Sequence, residues 1–334
     1  MKLISIVTPC YNEQDNVAEL YQQVKTVFAD LPAYHYEHIF IDNASTDTTV
    51  AIIREIAATD NKVKLIINAR NFGHIRSPFY GLLQAQGDAV VCLVADLQDP
   101  PSLIRDFIEK WESGYKIVVG VKTQSDESPL MFAIRKVYYN LVTKISNTRL
   151  IKNFTGFGLY DQSIISLLRD IDDPYPYFRG LIAEVGFDVA EVTYKQPARK
   201  RGITKNNFYT LYDMAMLGIT SHSKVPIRLA TMAGFALSIL SLGIAALFLV
   251  LKLLLWQHFS LGVAPIIIGL FFFSSVQLFF IGLLGEYIAA IHTQVLKRPL
   301  VIEKERVNFQ DCSVDKMPTN SKLPENANFL SLQK

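Results

Sequence analysis

Residues 90–101 read VVCLVADLQDPP, and this stretch decides the fold. Val90, Val91, Leu93 and Val94 form an apolar run without polar alternation, the pattern of a central parallel strand covered on both faces. The run gives way to Asp96, Gln98 and Asp99, and Pro100 and Pro101 stop it. In open α/β sheets ligands lie beyond the carboxyl ends of the strands, so carboxylates there can seat a divalent cation and the phosphates it carries. Asp96 reads as functional, because the chain changes character at that residue. Asp99 has two readings: a site residue, or the start of a helix ahead of Pro100.

On either side of this stretch, from Lys2 to about Pro129, strand-like and helix-like segments alternate, as in a mostly parallel sheet with helices on its faces. Strands are expected at 3–8, 38–41, 63–67, 90–94 and 116–121. Helices are expected at 15–29, 46–58, from the ARNFGH loop to about 85, and at 103–112. Val17, Leu20, Val24, Val27 and Phe28 share one face of the first helix, and Val50, Ile53 and Ala57 one face of the second. A further strand is expected at 188–194. Three strands end in polar or charged runs, TPCYNE, IDNASTDTT and ADLQD, whose convergence at one sheet edge would make a site.

Composition narrows the function. The chain has 334 residues, is 50% hydrophobic and carries a net charge of +2. That leaves room for one sizeable domain and something more, and it does not imply nucleic acid as a partner. Cys10, Cys92 and Cys312 lack metal-ligand spacing and read as free or buried thiols of a reducing compartment. The opening MKLISIVTPCYNE enters a strand directly, which predicts no secretory signal. Neither GxGxxG nor GxxxxGK occurs, which argues against a dinucleotide fold and a P-loop ATPase. A nucleotide would be held by carboxylates, a cation and basic side chains.

The motifs TPCYNE, IDNASTD, ARNFG and ADLQDPP, in that order and spacing, resemble the family 2 glycosyltransferases. Over residues 2–310 the chain is similar to the polyprenyl-phosphate hexosyltransferases, the group of bactoprenol glucosyltransferases and dolichol-phosphate mannose synthases. The resemblance implies a GT-A-like α/β domain that uses a nucleotide sugar, with UDP-hexose first, and polyprenyl phosphate. It implies that Pro9, Tyr11, Glu13 and Asp42 line the base and ribose pocket and that Arg70 and Ala95 complete the donor site. Asp96 and Gln98 would hold Mg²⁺ or Mn²⁺ against the diphosphate. Two departures stand out. Val94 replaces the first aspartate of the usual DADLQD, and Gly156, in FTGFGLYD, falls where a catalytic aspartate is usual. Glu184 is the candidate substitute base, set against unaided attack by a lipid phosphate that is already ionised. These departures also keep a non-catalytic nucleotide-sugar sensor or scaffold open.

After the strand at 188–194, Lys195, Arg199, Lys200, Arg201 and Lys205 form the one concentrated basic cluster. It contains RGITK, similar to an element of the same family, in which Arg201 and Lys205 would meet phosphates of the donor or lipid. Phe208, Leu211, Tyr212, Ala215, Met216 and Ile219 recur at helical spacing, as in an amphipathic helix lying at a bilayer surface. Two apolar stretches, about 227–255 and 263–291, exceed the roughly 20 residues that span a bilayer. Lys224 and Arg228 before them and Lys297, Arg298, Lys304 and Arg306 after them predict that both ends face the cytoplasm. The expected organisation is a catalytic domain at 1–206, an interfacial helix at 207–225, a two-helix transmembrane hairpin at 226–292 and a cytoplasmic tail, partly disordered, at 293–334. The implied location is the cytoplasmic membrane and the implied product a cell-surface glycan intermediate; a homo-oligomer is left open.

Overall fold

The computed structural model describes residues 1–124, 151, 153–197, 216–218, 225–254 and 263–309. The first unit runs β1 (Lys2–Cys10), α1 (Val17–Ala29), β2 (Tyr34–Asp42), α2 (Thr49–Thr59), β3 (Val63–Asn68), α3 (Gly73–Gln84) and β4 (Ala89–Cys92). A single 3₁₀ turn at Pro101–Leu103 leads into α4 (Ile104–Glu112) and β5 (Ile117–Gln124). Then come β6 (Phe154–Asp161), α5 (Gln162–Ile171), α6 (Phe178–Glu184) and β7 (Val189–Lys195). Two long helices follow, α7 (Val225–Leu254) and α8 (Val263–Leu296), before β8 (Glu303–Val307).

The eight strands form one sheet in the order β7-β5-β6-β4-β1-β2-β3-β8. Six run in one direction; β6 and β8 oppose them. The sheet is therefore mixed rather than simply parallel. The expected mostly parallel pattern holds for β1 to β4, where crossover helices require it, and β6 and β8 add the antiparallel pairings. Both faces are covered. Leu20, Val24, Phe28, Ile53, Phe107 and Trp111 of α1, α2 and α4 pack on one face. Phe79, Leu82, Ile164, Ile165, Leu168 and Leu181 of α3, α5 and α6 pack on the other.

Alternation predicts β2 poorly, because its first half carries polar residues that are nevertheless buried. Glu37 is held by Lys64 at 2.5 Å and by Ser5 at 2.5 Å, so its charge is compensated. His38 is fully buried, stacks on Phe40 with ring centroids 4.0 Å apart and bonds Thr8 Oγ1 through Nε2 at 2.9 Å.

The strand β6 carries Gly158 where β5 approaches closely. A Cβ there would lie 2.4 Å from the Val118 carbonyl oxygen, so only glycine fits between the strands. Asp161 ends β6 and caps α5, accepting from Ser163 N at 3.0 Å and from Trp111 Nε1 at 2.9 Å. Burial works against its charge, but these hydrogen bonds and Lys116 hold its carboxyl below the usual range.

The expected tail from 293 is corrected over Glu303–Val307. This segment pairs antiparallel with β3, Leu65 facing Val307 and Ile66 facing Arg306. Asn308 Nδ2 donates to the carbonyls of Ala57 and Val63, at 2.7 and 2.9 Å, and Arg54 pairs with Glu305 at 2.6 Å. Its alternating charges make β8 look like tail sequence, yet they suit an edge strand that presents charge to water.

Among the described residues, one stretch, Gly269–Leu296, is long and apolar enough to cross a membrane; Val225–Ser241 is a shorter apolar helix. Large apolar side chains on both helices are uncovered: Phe235 and Ile239 on α7, Phe271 and Phe279 on α8, are each about 70% exposed. The expected amphipathic helix is described only at 216–218, which is helical. The residues of the expected hairpin turn, Trp256 and His258 among them, and Cys312 lie outside the described residues.

Candidate active site

The carboxyl ends of β1, β2, β3 and β4 come together because these strands are neighbours and run the same way. After β4, exposure alternates: Val94, Asp96 and Gln98 are half-buried, while Ala95, Leu97 and Asp99 are buried. The backbone turns at Leu97, whose φ of 58° lies in the left-handed region. A non-glycine residue there costs on the order of 1 kcal/mol or more, so the surrounding structure must hold the loop. Part of that hold is local, since Gln98 N donates to Asp96 Oδ1 at 3.1 Å.

The other part comes from Asp99. It is not a helix start: the 3₁₀ turn and α4 have no side-chain cap. Its carboxylate is buried and accepts a hydrogen bond from the Tyr194 hydroxyl of β7. Burial pushes the Asp99 carboxyl up, with Lys122 and the Tyr194 hydroxyl pulling it back. The Tyr194 ring packs edge-on against Phe157 with centroids 5.6 Å apart. Asp99 thus anchors the loop from within while Asp96 and Gln98 stay on its open side.

The loop after β1 is tied to the loop after β2. Asn12 N donates to Ser45 Oγ at 2.9 Å, Thr46 N to Asn12 Oδ1 at 2.8 Å and Glu13 N to Thr49 Oγ1 at 2.9 Å. Asn12 and Ala44 both have positive φ, 55° and 61°, as a tight polar turn requires. Pro9, Tyr11 and Glu13 are half-buried, and Glu13 Oε2 accepts from Asn16 Nδ2 at 2.7 Å. Asp42 is fully buried, and its carboxylate takes both the amide and the hydroxyl of Ser45. Burial raises the Asp42 carboxyl, and those two hydrogen bonds oppose the rise. As placed, Asp42 orders the turn; each of its oxygens retains a second lone pair.

An asparagine network missed by the sequence reading links β2, β3 and α3. Asn68 Nδ2 donates to Asn43 Oδ1 at 3.2 Å and to Ser77 Oγ at 2.9 Å, while Asn43 Oδ1 also accepts from Phe72 N at 2.8 Å. The signal was there in asparagines ending two successive apolar runs. Arg70 is exposed, lies 4.0 Å from the centroid of Phe72 and donates to the Asn71 carbonyl.

Glu184 is placed elsewhere. It is exposed at the end of α6, from which Gly186 and Asp188 lead into the amino end of β7. Asp188 and Phe187 line a recess with Gly114, Tyr115 and Lys116, ahead of β5, at the opposite end of the sheet from Asp96. Gly156, at the usual base position, has a φ of 107°. A side chain there would meet only Phe178, so the backbone rather than space disfavours an aspartate. Arg201 and Lys205 lie outside the described residues.

Among the described residues no three His, Cys, Asp or Glu side chains converge as a metal cage. The donors available at the loop are the Asp96 carboxylate and the Gln98 amide oxygen, both hard oxygens. Mg²⁺ and Mn²⁺ take such ligands, and Mg²⁺ commonly uses one or two carboxylates with substrate phosphates and water completing the shell. The donor set therefore fits a cation that arrives with a diphosphate. Cys10 and Cys92 are buried free thiols; burial pushes Cys92 up to about 12, so neither its depth nor its charge state suits a ligand.

The profile described as Glycosyl transferase family 2 matches residues 5–166. A relative in Bacillus subtilis (strain 168), the uncharacterized glycosyltransferase YkcC, is 34% identical over 92% of this chain and 95% of its own length. The chain belongs to glycosyltransferase family 2. Within the family it is also 32% identical to the bactoprenol glucosyl transferase of Shigella phage SfII, over 90% of this chain and 97% of that one. Among solved structures, glucosyl-3-phosphoglycerate synthase from Mycobacterium tuberculosis, in complex with Mn²⁺, uridine-diphosphate and phosphoglyceric acid, is similar with a TM-score of 0.45. The identity is 18%, over 66% of this chain and 76% of that one.

Proposed function

We propose that the chain is a membrane-anchored hexosyltransferase that moves a hexose from a nucleotide sugar, UDP-glucose first, to polyprenyl phosphate. The observation that carries this reading is the open Asp96–Gln98 pair beyond β4, in a chain similar to a bactoprenol glucosyl transferase along nine-tenths of its length. The domain plan is a catalytic unit at 1–206 completed by β8, an interfacial helix at 207–225 and two membrane helices at 226–292, with the catalytic unit at the cytoplasmic face. The uncovered apolar side chains of α7 and α8 support it, and a polyprenyl chain held in the bilayer makes such an anchor useful.

Pro9, Tyr11, Glu13, Asp42 and Ala95 would position the nucleoside, and Asp96 and Gln98 would hold Mg²⁺ or Mn²⁺. That cation supplies charge neutralisation for the departing nucleoside diphosphate. An oxygen of the lipid phosphate attacks the anomeric carbon opposite the leaving group. The new C–O bond forms as the bond to the diphosphate breaks, the electron pair leaves with the nucleotide, and configuration inverts. A phosphate monoester with a second pKa near 6 is largely dianionic at pH 7 and has no proton to give up, so a general base is unnecessary. Arg201 and Lys205 would balance the phosphate charge.

The test is a panel of nucleotide sugars with purified protein in detergent, polyprenyl phosphate and Mg²⁺ or Mn²⁺, read as sugar in the lipid extract. Transfer from one donor establishes the enzyme; donor binding without turnover across the panel establishes a sensor instead. In the same assay Glu184→Gln is expected to keep most of the activity, with the rate rising through about pH 6 as the acceptor ionises. General bases contribute about 10²- to 10⁴-fold, so a loss above about 100-fold with donor affinity unchanged would make Glu184 the base after all.

A further inference from the structure

Three arginines have carboxylate partners among the described residues. Arg54, Arg105 and Arg306 pair with Glu305, Asp30 and Glu303, and Arg169 donates to the carbonyls of Leu83 and Ala85. Arg70 and Arg76 donate to the carbonyls of Asn71 and Pro299 and, like Arg169, pair with no carboxylate among the described residues; no ion pair is described for Arg298 either. They are also gathered. Arg70 and Arg76 lie over the same Phe72 ring, 4.0 and 5.3 Å from its centroid. Arg76 donates to the carbonyl of Pro299, the residue after Arg298. Its Nε is buried with no partner among the described residues, a donor that normally costs stability unless satisfied.

We propose that Arg70, Arg76 and Arg298 form a binding site for the phosphate of an anionic lipid, at the junction where α8 meets the catalytic unit, which assigns Arg70 to this cluster and not to the donor site that the family resemblance implies. Three guanidiniums without a carboxylate repel one another, and a phosphate would offset that repulsion through forked hydrogen bonds. Burial first, and then Arg70 and Arg298, hold the Arg76 guanidinium below its ordinary value, with Tyr175 opposing the fall. The source of the anion follows from position. The apolar stretch Gly269–Leu296 ends two residues before Arg298, which sets the cluster at the depth of lipid phosphates if α8 spans the bilayer. The inference rests on that membrane reading but not on the transfer chemistry.

The site is tested by binding, with full-length protein in a neutral detergent. Short-chain phosphatidate, short-chain phosphatidylcholine and inorganic phosphate are titrated separately and followed by native mass spectrometry and thermal stabilisation. Phosphatidate is expected to bind and stabilise, and Arg298→Gln and Arg76→Gln are each expected to weaken it roughly tenfold or more. Arg76→Lys, which keeps the charge, should recover part of the loss. Arg298 is exposed, so its variant remains informative if an Arg76 variant folds poorly. Weaker binding of inorganic phosphate supports the lipid source, whereas equal binding keeps the anion site and assigns it to soluble phosphate. Phosphatidylcholine binding as well as phosphatidate, or phosphatidate affinity unchanged in Arg298→Gln, would overturn the proposal. Lost transfer with phosphatidate binding intact would instead count against the transferase reading.

Discussion

Asp96→Ala is expected to abolish the divalent-cation dependence of donor binding and to lower transfer by at least about 10²- to 10³-fold, the range for removing one element of electrostatic stabilisation. The loop has no second carboxylate to take over. Val94 occupies the position where the family usually has one, and Asp99 is turned inward to Tyr194. Gln98 alone supplies a neutral oxygen, too weak a ligand to retain Mg²⁺ beside a diphosphate. The measurement is UDP affinity with and without Mn²⁺ alongside turnover with UDP-glucose, since a folding defect would lower both affinities while loss of the metal lowers only one. An Asp96→Ala protein whose UDP affinity still rises with Mn²⁺ would remove Asp96 from the metal site.

The second large effect concerns acid stability and His38. Burial, only partly opposed by Asp60, lowers this imidazole from its ordinary 6.5 to about 3. The folded state therefore resists the proton that the unfolded chain accepts. With the folded value depressed, the contribution of neutral His38 is complete above about pH 6.5 and is lost progressively as pH falls toward about 3. At about 1.4 kcal/mol for each unit of difference, the full loss is on the order of 5 kcal/mol, a large share of the roughly 5–15 kcal/mol of a typical domain. Melting in detergent from pH 7 to pH 4 should show this slope, and His38→Gln, which keeps a polar partner for Thr8, should flatten it. Equal slopes in both proteins would mean that His38 does not titrate on unfolding over that range.

The legible parts of the chain were those where burial follows hydrophobicity. β1, β3 and β4 are apolar runs closed by polar turns, and α1, α2 and α4 bury regular stripes, so the sheet edge that gathers Asp42 and Asp96 could be anticipated. β2 starts earlier than expected because Glu37 and His38 are buried with partners on other strands, which one strand's sequence cannot reveal. β6 is legible in the sequence only as a motif, since its glycines look like turn residues until β5 lies against Gly158. At the site, proximity in sequence sets Asp96 and Gln98 on one loop, where both are half-buried. It could not show that Asp99 faces Tyr194, some 95 residues away, or that α6 carries Glu184 towards the other end of the sheet. Nor could it foresee the buried Asn43–Asn68 pair, whose value lies in tertiary hydrogen bonds.

The placement of β8 sets an order on the life of the chain. The strand that completes the sheet beside β3 is made only after both long apolar helices have been synthesised. Until then β3 presents an unpaired edge, with its backbone donors and acceptors open to any passing strand. If α7 and α8 enter the bilayer as they emerge, the catalytic unit becomes whole at the membrane surface, beside the lipid it is proposed to serve. A nascent chain stalled short of residue 303 would carry the Asp96 loop but not the finished sheet that steadies its neighbours.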